Sequence, residues 1–260
     1  MRVYLQCMHF KPKLMAFDLD GTLAESKQRL SADIGELLAH LTHKMPVAVM
    51  SGASFKQFES QFLPALPDDA NLKNLYLFPT SAAQCYTRQG SAWVPKYDHS
   101  FTPVEREVIL QALAQCMEET HFSKEPPQLW GERIEDRGAQ ISFSALGQKA
   151  PVEEKEKWKA AHDNERKELY HALVKKLPGL SIRMGGLTSI DITRQGINKA
   201  YGIRKLVELT GISVPEMLYV GDALQEGGND AVVIETGVKT HEVFGPKETA
   251  ALIEEILAVK

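Results

Sequence analysis

The sequence predicts an α/β fold: a Rossmann-like, doubly wound parallel-sheet core with a smaller α+β cap inserted into it. Three observations carry this expectation. Short apolar runs alternate with amphipathic segments from Leu14 to Phe78. The pattern then changes to hairpin-like strands and two long helical segments. From Asn198 the strand–helix alternation returns. Such alternation is the mark of a parallel sheet covered by helices on both faces. An interruption followed by its resumption is the mark of an insertion.

Taken in order, "LMAF" (Leu14–Phe17) is short, apolar and bounded by polar residues, as a fully buried parallel strand would be. "SADIGELLAHLTHK" places Ile34, Leu37, Leu38 and Leu41 on one helical face, with Ser31 or Asp33 available as its cap. "PVAVMSG" reads as a second buried strand, "SFKQFESQFLPAL" as a second helix and "LYLF" as a third strand. "QCYTRQGSAWV" reads as a hairpin turning at Gln89-Gly90, followed by a long helix over about 102–120. "RIEDRGAQISFSAL" reads as strands, "EEKEKWKAAHDNERKELYHALVKKL" as a charged helix, and "LSIRMGG" and "TSIDITR" as two more strands. A helix ended by Gly211, a strand "MLYVGD", a Gly-rich loop, a strand "AVVIE" and a last helix complete the chain. The expected division is a core of 1–87 with 192–260, and a cap of 88–191.

Composition excludes several classes. The chain has 260 residues, 43% hydrophobic and 25% charged, and a formal charge of −4, so nothing global attracts nucleic acid or an acidic membrane surface. No apolar run approaches a membrane span of roughly 18 residues. The N-terminal "MRVYLQCMHFKPK" is broken by His9, Lys11 and Pro12 and does not read as a signal peptide. Cys7, Cys85 and Cys116 are few and far apart, which argues against a disulfide framework and for a reducing, cytoplasmic location.

The most informative stretch is "FDLDGTL". A buried strand ends in Asp18 and Asp20, whose spacing of two puts both side chains on one side. In open parallel sheets, ligands bind beyond the carboxyl ends of the strands. Two close carboxylates repel unless a positive charge lies between them, and a hard cation such as Mg²⁺ would supply it. Asp-Gly is also a common turn dipeptide, so this motif alone could mark a surface turn. Beside it, however, stand Ser51 after "VAVM", Lys199 at a helix start, Asp222 after "LYVG", and Asp230 eight residues further on. Together they make a second carboxylate strand end, a hydroxyl strand end and a cation. Other candidates are weaker. His40 and His43 have no neighbouring ligand set, and "SGAS" is not G-x-S-x-G.

"FDLDGTL", "VMSGAS", "INK" and "GDALQEGGND" resemble, in order, the four motifs of the haloacid dehalogenase superfamily of phosphotransferases, and the insertion lies where that superfamily's second type of cap lies. "LDGTLAESKQRL", "IEDR", "GGLTSID" and "GGND" further resemble segments of the eukaryotic-type phosphomannomutases. The resemblance implies a nucleophile at Asp18 and a general acid/base at Asp20. It also implies Mg²⁺ held by Asp18, the Asp20 carbonyl and Asp222. Lys199, Ser51 and backbone N–H groups near Gly52 would hold the phosphoryl oxygens, with Asp230 behind them orienting Lys199 or metal waters. Thr22 either bonds Asp20 or closes the turn. In the cap, Arg137 matches a phosphate-contacting arginine, and Ser189 and Asp191 match sugar-contacting positions. Lys27 aligns with a basic residue after the nucleophile loop. The implied substrate is a small phosphorylated sugar, and the related mutases suggest a homodimer through the cap.

Three departures bear on the reaction. Gln148, Lys155 and Lys27 stand where the mutases carry arginines. A mutase must hold one phosphate of a sugar bisphosphate while the other reacts, and losing a charge and two bidentate forks weakens that grip. The expectation is therefore a Mg²⁺-dependent phosphohydrolase, with phosphomannomutase as the alternative.

Overall fold

The computed structural model describes residues 10–26, 28–122 and 124–259. Cys7, Lys27 and most of the N-terminal stretch discussed above lie outside the described residues. The chain divides into two compact units, Met1–Tyr97 with Asn198–Lys260, and Asp98–Ile197.

The first unit begins with β1 (Leu14–Asp18), α1 (Ala32–Lys44) and β2 (Val47–Met50). It continues through α2 (Phe55–Gln57), β3 (Leu75–Phe78), the short turn α3 (Pro79–Ala82), β4 (Gln84–Gln89) and β5 (Ala92–Asp98). The second unit holds α4 (Pro103–Glu119), β6 (Ile134–Asp136), β7 (Gln140–Ser144), α5 (Val152–Lys176), β8 (Leu180–Gly185) and β9 (Ser189–Arg194). The chain closes with α6 (Lys199–Thr210), β10 (Met217–Gly221), β11 (Lys239–Glu242) and α7 (Pro246–Ala258).

The first unit's sheet has the order β11-β10-β1-β2-β3-β4-β5. β10, β1, β2 and β3 are parallel neighbours, and every residue of β1, β2 and β10 is buried. Alternate residues serve opposite faces: Met15 and Phe17 pack with Leu38 and Ile253, while Leu14 and Ala16 pack with Ile203 and Leu206. That is the doubly wound arrangement. β1 lies between β10 and β2, so the chain order switches there, the place where such sheets leave a crevice.

Ser31 caps α1, its hydroxyl accepting from the Ile34 N–H at 3.4 Å. Gly35 in α1 is required by contact: a Cβ there would lie 2.0 Å from the Ala65 carbonyl oxygen. Gly35→Ala is expected to lower stability by about 1–3 kcal/mol through overpacking. Helix propensity alone would raise it by roughly 1 kcal/mol. Urea unfolding reads the sign, and a stabilised variant would refute the close approach.

Four expectations are corrected. The hairpin β4–β5 extends the first sheet, with β3 and β4 antiparallel, and does not begin the second unit. The first division therefore falls after Tyr97, not at 87/88, and the second falls after Ile197, not at 191/192, because β9 pairs with β7 and β8 as far as Arg194. The second helix is not one helix: after α2 come a π turn (Phe58–Phe62) and a 3-10 turn (Leu63–Ala65), where Pro64 has no N–H to continue the ladder. "AVVIE" is a 3-10 turn (Ala231–Thr236), and the strand follows it as β11. Ile234 is 51% exposed, so this run is not a strand covered on both faces.

The second unit's sheet is antiparallel, of order β6-β7-β9-β8. Ile141, Phe143, Ile190 and Ile192 enter a core with Leu113 of α4 and Leu169 of α5. Among the described residues no helix is long and apolar enough to cross a membrane.

Candidate active site

The parallel register decides which side chains meet. Phe17 pairs with Val220, and Asp18 pairs with Met50. Asp18, Asp222 and Ser51 therefore emerge at the same ends of three adjacent strands. Lys199 is the first residue of α6, whose cap Asn198 accepts from the Tyr201 N–H at 2.9 Å. Its Nζ donates to Asp18 Oδ1 and to Asp230 Oδ1, both at 2.5 Å. All three side chains are at most 4% exposed.

Asp230 has further donors: the Tyr219 hydroxyl at 2.5 Å and the Ala223 N–H at 3.2 Å. Burial pushes the Asp18 carboxyl well above the usual carboxylate range; Lys199 opposes this and Asp230 adds to it. Burial works against the Lys199 ammonium, yet the two carboxylates together hold its pKa above the ordinary lysine value. Asp222 is raised by burial and by Asp230. The Tyr219 phenol is raised by burial first and by Asp230 next, so it stays a donor. The cluster is an ammonium clamped between two carboxylates, with a third carboxylate alongside.

Oxygens of Asp18, Asp222 and Asp230 lie within 4.8 Å of one another. An all-oxygen, carboxylate-rich set suits a hard divalent cation such as Mg²⁺. Asp230 already accepts three hydrogen bonds, which leaves Asp18 and Asp222 the better-placed ligands.

The loop after β1 is built around Gly21, whose φ of +84° is left-handed and whose missing Cβ would stand 2.5 Å from Asp222 Oδ2. Thr22 donates to Asp222 at 3.4 Å, so the hydroxyl serves Asp222 where sequence offered Asp20 or the turn. Ser51 donates to Asp20 Oδ2 at 3.5 Å and accepts from the Ala53 N–H at 3.0 Å. Gly52 lies between these two residues. The Ser51 loop is held from behind by Thr80, Ser81 and Ala82, three consecutive non-glycine residues with positive φ. Thr80 N–H donates to Ala53 O at 2.9 Å and Ser81 N–H to Ser51 O at 2.8 Å. Each left-handed residue costs of order 1 kcal/mol or more, so this turn persists only because its surroundings fix it.

On the second unit, Arg137 follows β6 and its side chain is 10% exposed. Its Nε and Nη2 donate to Glu135 Oε2 at 3.0 and 2.6 Å, and Nη2 reaches Gln148 Oε1 at 3.5 Å. Gln148 Nε2 donates to Ser142 O at 3.2 Å. Asp191 accepts from Ser142 Oγ at 2.6 Å, and Gln140 donates to Ser142 Oγ at 2.8 Å. Ser189 pairs in register with Gly185 and Ser144. Lys155 sits half-buried near the start of α5.

Two participants escaped the sequence reading. Tyr219 was a visible signal, the one phenol in an otherwise apolar strand, "MLYVG". Glu135 stood two residues before Arg137 on the same strand face, the spacing at which side chains meet.

The family model for eukaryotic phosphomannomutase matches residues 34–259. The phosphomannomutase of Saccharomyces cerevisiae is 27% identical over 253 residues, covering 95% of each chain. A probable phosphomannomutase of Caenorhabditis elegans is 25% identical over 249 residues, covering 94% of this chain and 95% of its own. Among solved structures, the IMP-nucleotidase of Plasmodium falciparum superposes with a TM-score of 0.70 at 18% identity, covering 96% of this chain and 70% of its own. A haloacid dehalogenase-like hydrolase from Bacteroides thetaiotaomicron gives 0.64 at 15% identity, covering 95% and 100%. These structures share the fold, while the family match runs through both units. The chain belongs to the eukaryotic phosphomannomutase family.

Proposed function

We propose that this enzyme transfers the phosphoryl group of a small sugar phosphate through an aspartyl-phosphate on Asp18, and that it works as a phosphomannomutase. The observation that carries the transfer is the buried Lys199 clamp on Asp18 and Asp230, beside Asp222, at the ends of adjacent parallel strands. An Asp18 oxygen attacks phosphorus as the bond to the sugar oxygen breaks, and Asp20 gives that oxygen its proton. In the second half-reaction Asp20 takes the proton of the incoming hydroxyl, whose oxygen displaces Asp18. Lys199, Ser51 and the Gly52 N–H hold the phosphoryl oxygens. Asp230 is a positioning residue, because its carboxylate and Tyr219 fix where Nζ stands. When bound, Mg²⁺ offsets charge on the transferring group, with Asp18, Asp20 and Asp222 assigned to hold it. Arg137, Ser189 and Asp191 are assigned to the substrate's remaining groups.

The mutase reading moves ahead of the hydrolysis expected from sequence because the relatives that match over nearly the whole chain are named phosphomannomutases. Hydrolysis stays as the second reading for one reason: Gln148 is neutral, and its amide is engaged with Ser142 O and Arg137.

Phosphorus NMR of mannose 6-phosphate with the protein, Mg²⁺ and a trace of glucose 1,6-bisphosphate separates the readings. Mannose 1-phosphate is expected to grow with little inorganic phosphate. Growth of inorganic phosphate alone would put hydrolysis first. No change with this or any other hexose phosphate would refute both.

A further inference from the structure

The buried residues of α7 are Thr249, Leu252 and Ile253, which share one helix face at spacings of three and four. Leu252 and Ile253 pack with Met15 and Phe17 of β1. Thr249 is 0% exposed, and valine has its shape without its hydroxyl. A hydroxyl in such a place costs stability unless it is bonded. Thr249 Oγ1 donates to the Thr22 carbonyl oxygen at 2.7 Å, from the far end of the sequence. The commoner bond of a helical threonine runs back to its own helix. Here that acceptor, the Gly245 carbonyl oxygen, lies at 3.4 Å. A hydroxyl has one proton, so the shorter contact to Thr22 takes it.

Thr22 belongs to the loop that carries Asp20. Within that loop the Leu19 carbonyl oxygen accepts from the N–H groups of Thr22, Leu23 and Ala24 at 3.4, 3.0 and 3.0 Å, and the Gly21 N–H donates to the Ala24 carbonyl at 2.7 Å. These bonds shape the turn from inside, while Thr249 ties it to a helix. That helix is fixed to both carboxylate-bearing strands. Its apolar side chains pack on β1, which ends in Asp18. Just ahead of it, the Val243 N–H donates to the Gly221 carbonyl at 3.1 Å, next to Asp222. The loop in turn touches Asp222 twice: the Thr22 hydroxyl donates to Oδ1 at 3.4 Å, and Gly21 packs against Oδ2. A shift of the loop would therefore move Asp20 and disturb Asp222 together.

We propose that Thr249 is a positioning residue for the reaction: through the Thr22 carbonyl its hydroxyl holds the loop after β1 where Asp20 and Asp222 converge on a divalent cation. This rests on the phosphoryl-transfer reading above and deepens it. Asp18 stands on a strand whose ladder fixes it, but Asp20 stands beyond the strand end and needs a tie of its own. The residue that supplies the tie touches neither substrate nor metal.

The test is titration of the full chain with Mn²⁺ in place of Mg²⁺, with the free ion followed by electron paramagnetic resonance. Thr249→Val keeps the shape and removes the donor, and is expected to weaken Mn²⁺ binding by about fivefold or more. Thr249→Ser and Thr249→Cys share a shape and differ in donor strength. The Ser variant is expected to bind Mn²⁺ within about twofold of wild type and the Cys variant to fall near Val. This pair carries the test if the Val variant does not fold. In hexose phosphate turnover the loss should fall on kcat and on the half-saturating Mg²⁺ concentration, with KM for the sugar phosphate unchanged. A Val variant that melts lower but binds Mn²⁺ as tightly as wild type would overturn the inference, because the bond would then serve the fold alone. A Ser variant as weak as Cys, or a loss confined to KM for the sugar phosphate, would overturn it too. A wild-type protein that binds no Mn²⁺ and turns over no hexose phosphate would instead overturn the phosphoryl-transfer reading, and this inference with it.

Discussion

Asp18→Asn is expected to abolish turnover, by about 10⁴-fold or more, as removal of a covalent nucleophile does. The amide nitrogen and oxygen of Asn cannot form the acyl-phosphate, while the rest of the site stays in place. Lys199 still has Asp230, and Asp230 still has Tyr219 and the Ala223 N–H. Folding should not suffer. Asp18 is a buried carboxyl whose charge burial disfavours, and a neutral isostere removes that penalty. The expected pair of results is a dead enzyme with an unfolding midpoint in urea equal to or above that of the wild type. Steady-state rates and urea curves on one preparation give both. More than about 1% residual activity would remove Asp18 from the nucleophile role. A large loss of stability would instead make Asp18 a structural partner of Lys199.

Much of the core was legible because a parallel strand covered on both faces reads as an unbroken apolar run. Leu14–Phe17, Val47–Met50 and Met217–Val220 are such runs, and all are buried. What sequence could not show is which sheet accepts a strand. "QCYTRQGSAWV" carries its turn signal at Gln89-Gly90, but its place beside β3 depends on a tertiary register, Leu77 with Tyr86, that no local pattern encodes. "AVVIE" failed for a related reason, since a short apolar run has no period to separate a strand from a 3-10 turn. Pro64 was visible in "SFKQFESQFLPAL", but reading that run as a single helix passed over its missing N–H.

The site followed the same division. Asp18, Ser51 and Asp222 were readable because each ends a buried run, and topology brings such ends together. The ranking of partners was not readable. Thr22 serves Asp222 instead of Asp20, Asp230 gathers three donors, and Arg137 is held by Glu135. The preference for hydrolysis came from comparing three separate positions, Gln148, Lys155 and Lys27, one at a time. A sheet face is assembled from four strands, so the neighbours of any one residue on it come from segments far apart in sequence, as Glu135, Ser142 and Asp191 do.

The second large effect falls on stability as well as rate. Lys199→Met leaves Asp18 and Asp230 facing one another in a buried space without their shared cation. Breaking a buried ion pair from one side costs about 3–5 kcal/mol. At about 2–4 °C per kcal/mol for a chain of this size, the melting temperature should fall by roughly 10 °C. Activity should fall by about 10²–10³-fold or more, because a preorganised cation at the phosphoryl group is lost. The decisive variant is the double, Lys199→Met/Asp230→Asn. The amide introduced at position 230 can accept from the Ala223 N–H through its oxygen and donate through its nitrogen to the Tyr219 hydroxyl oxygen, and one of the two stranded charges is gone. Most of the lost stability should return and none of the activity. A double variant no more stable than Lys199→Met alone would show that the penalty is lost packing of the lysine stem. The expected recovery would mean something more specific. Lys199 stabilises the fold only because Asp18 and Asp230 are there, and a buried strand end has no structural need of two carboxylates. The charge cluster is then a burden on the fold that the chemistry requires, and neutralising all three residues should give the most stable and least active protein of the series.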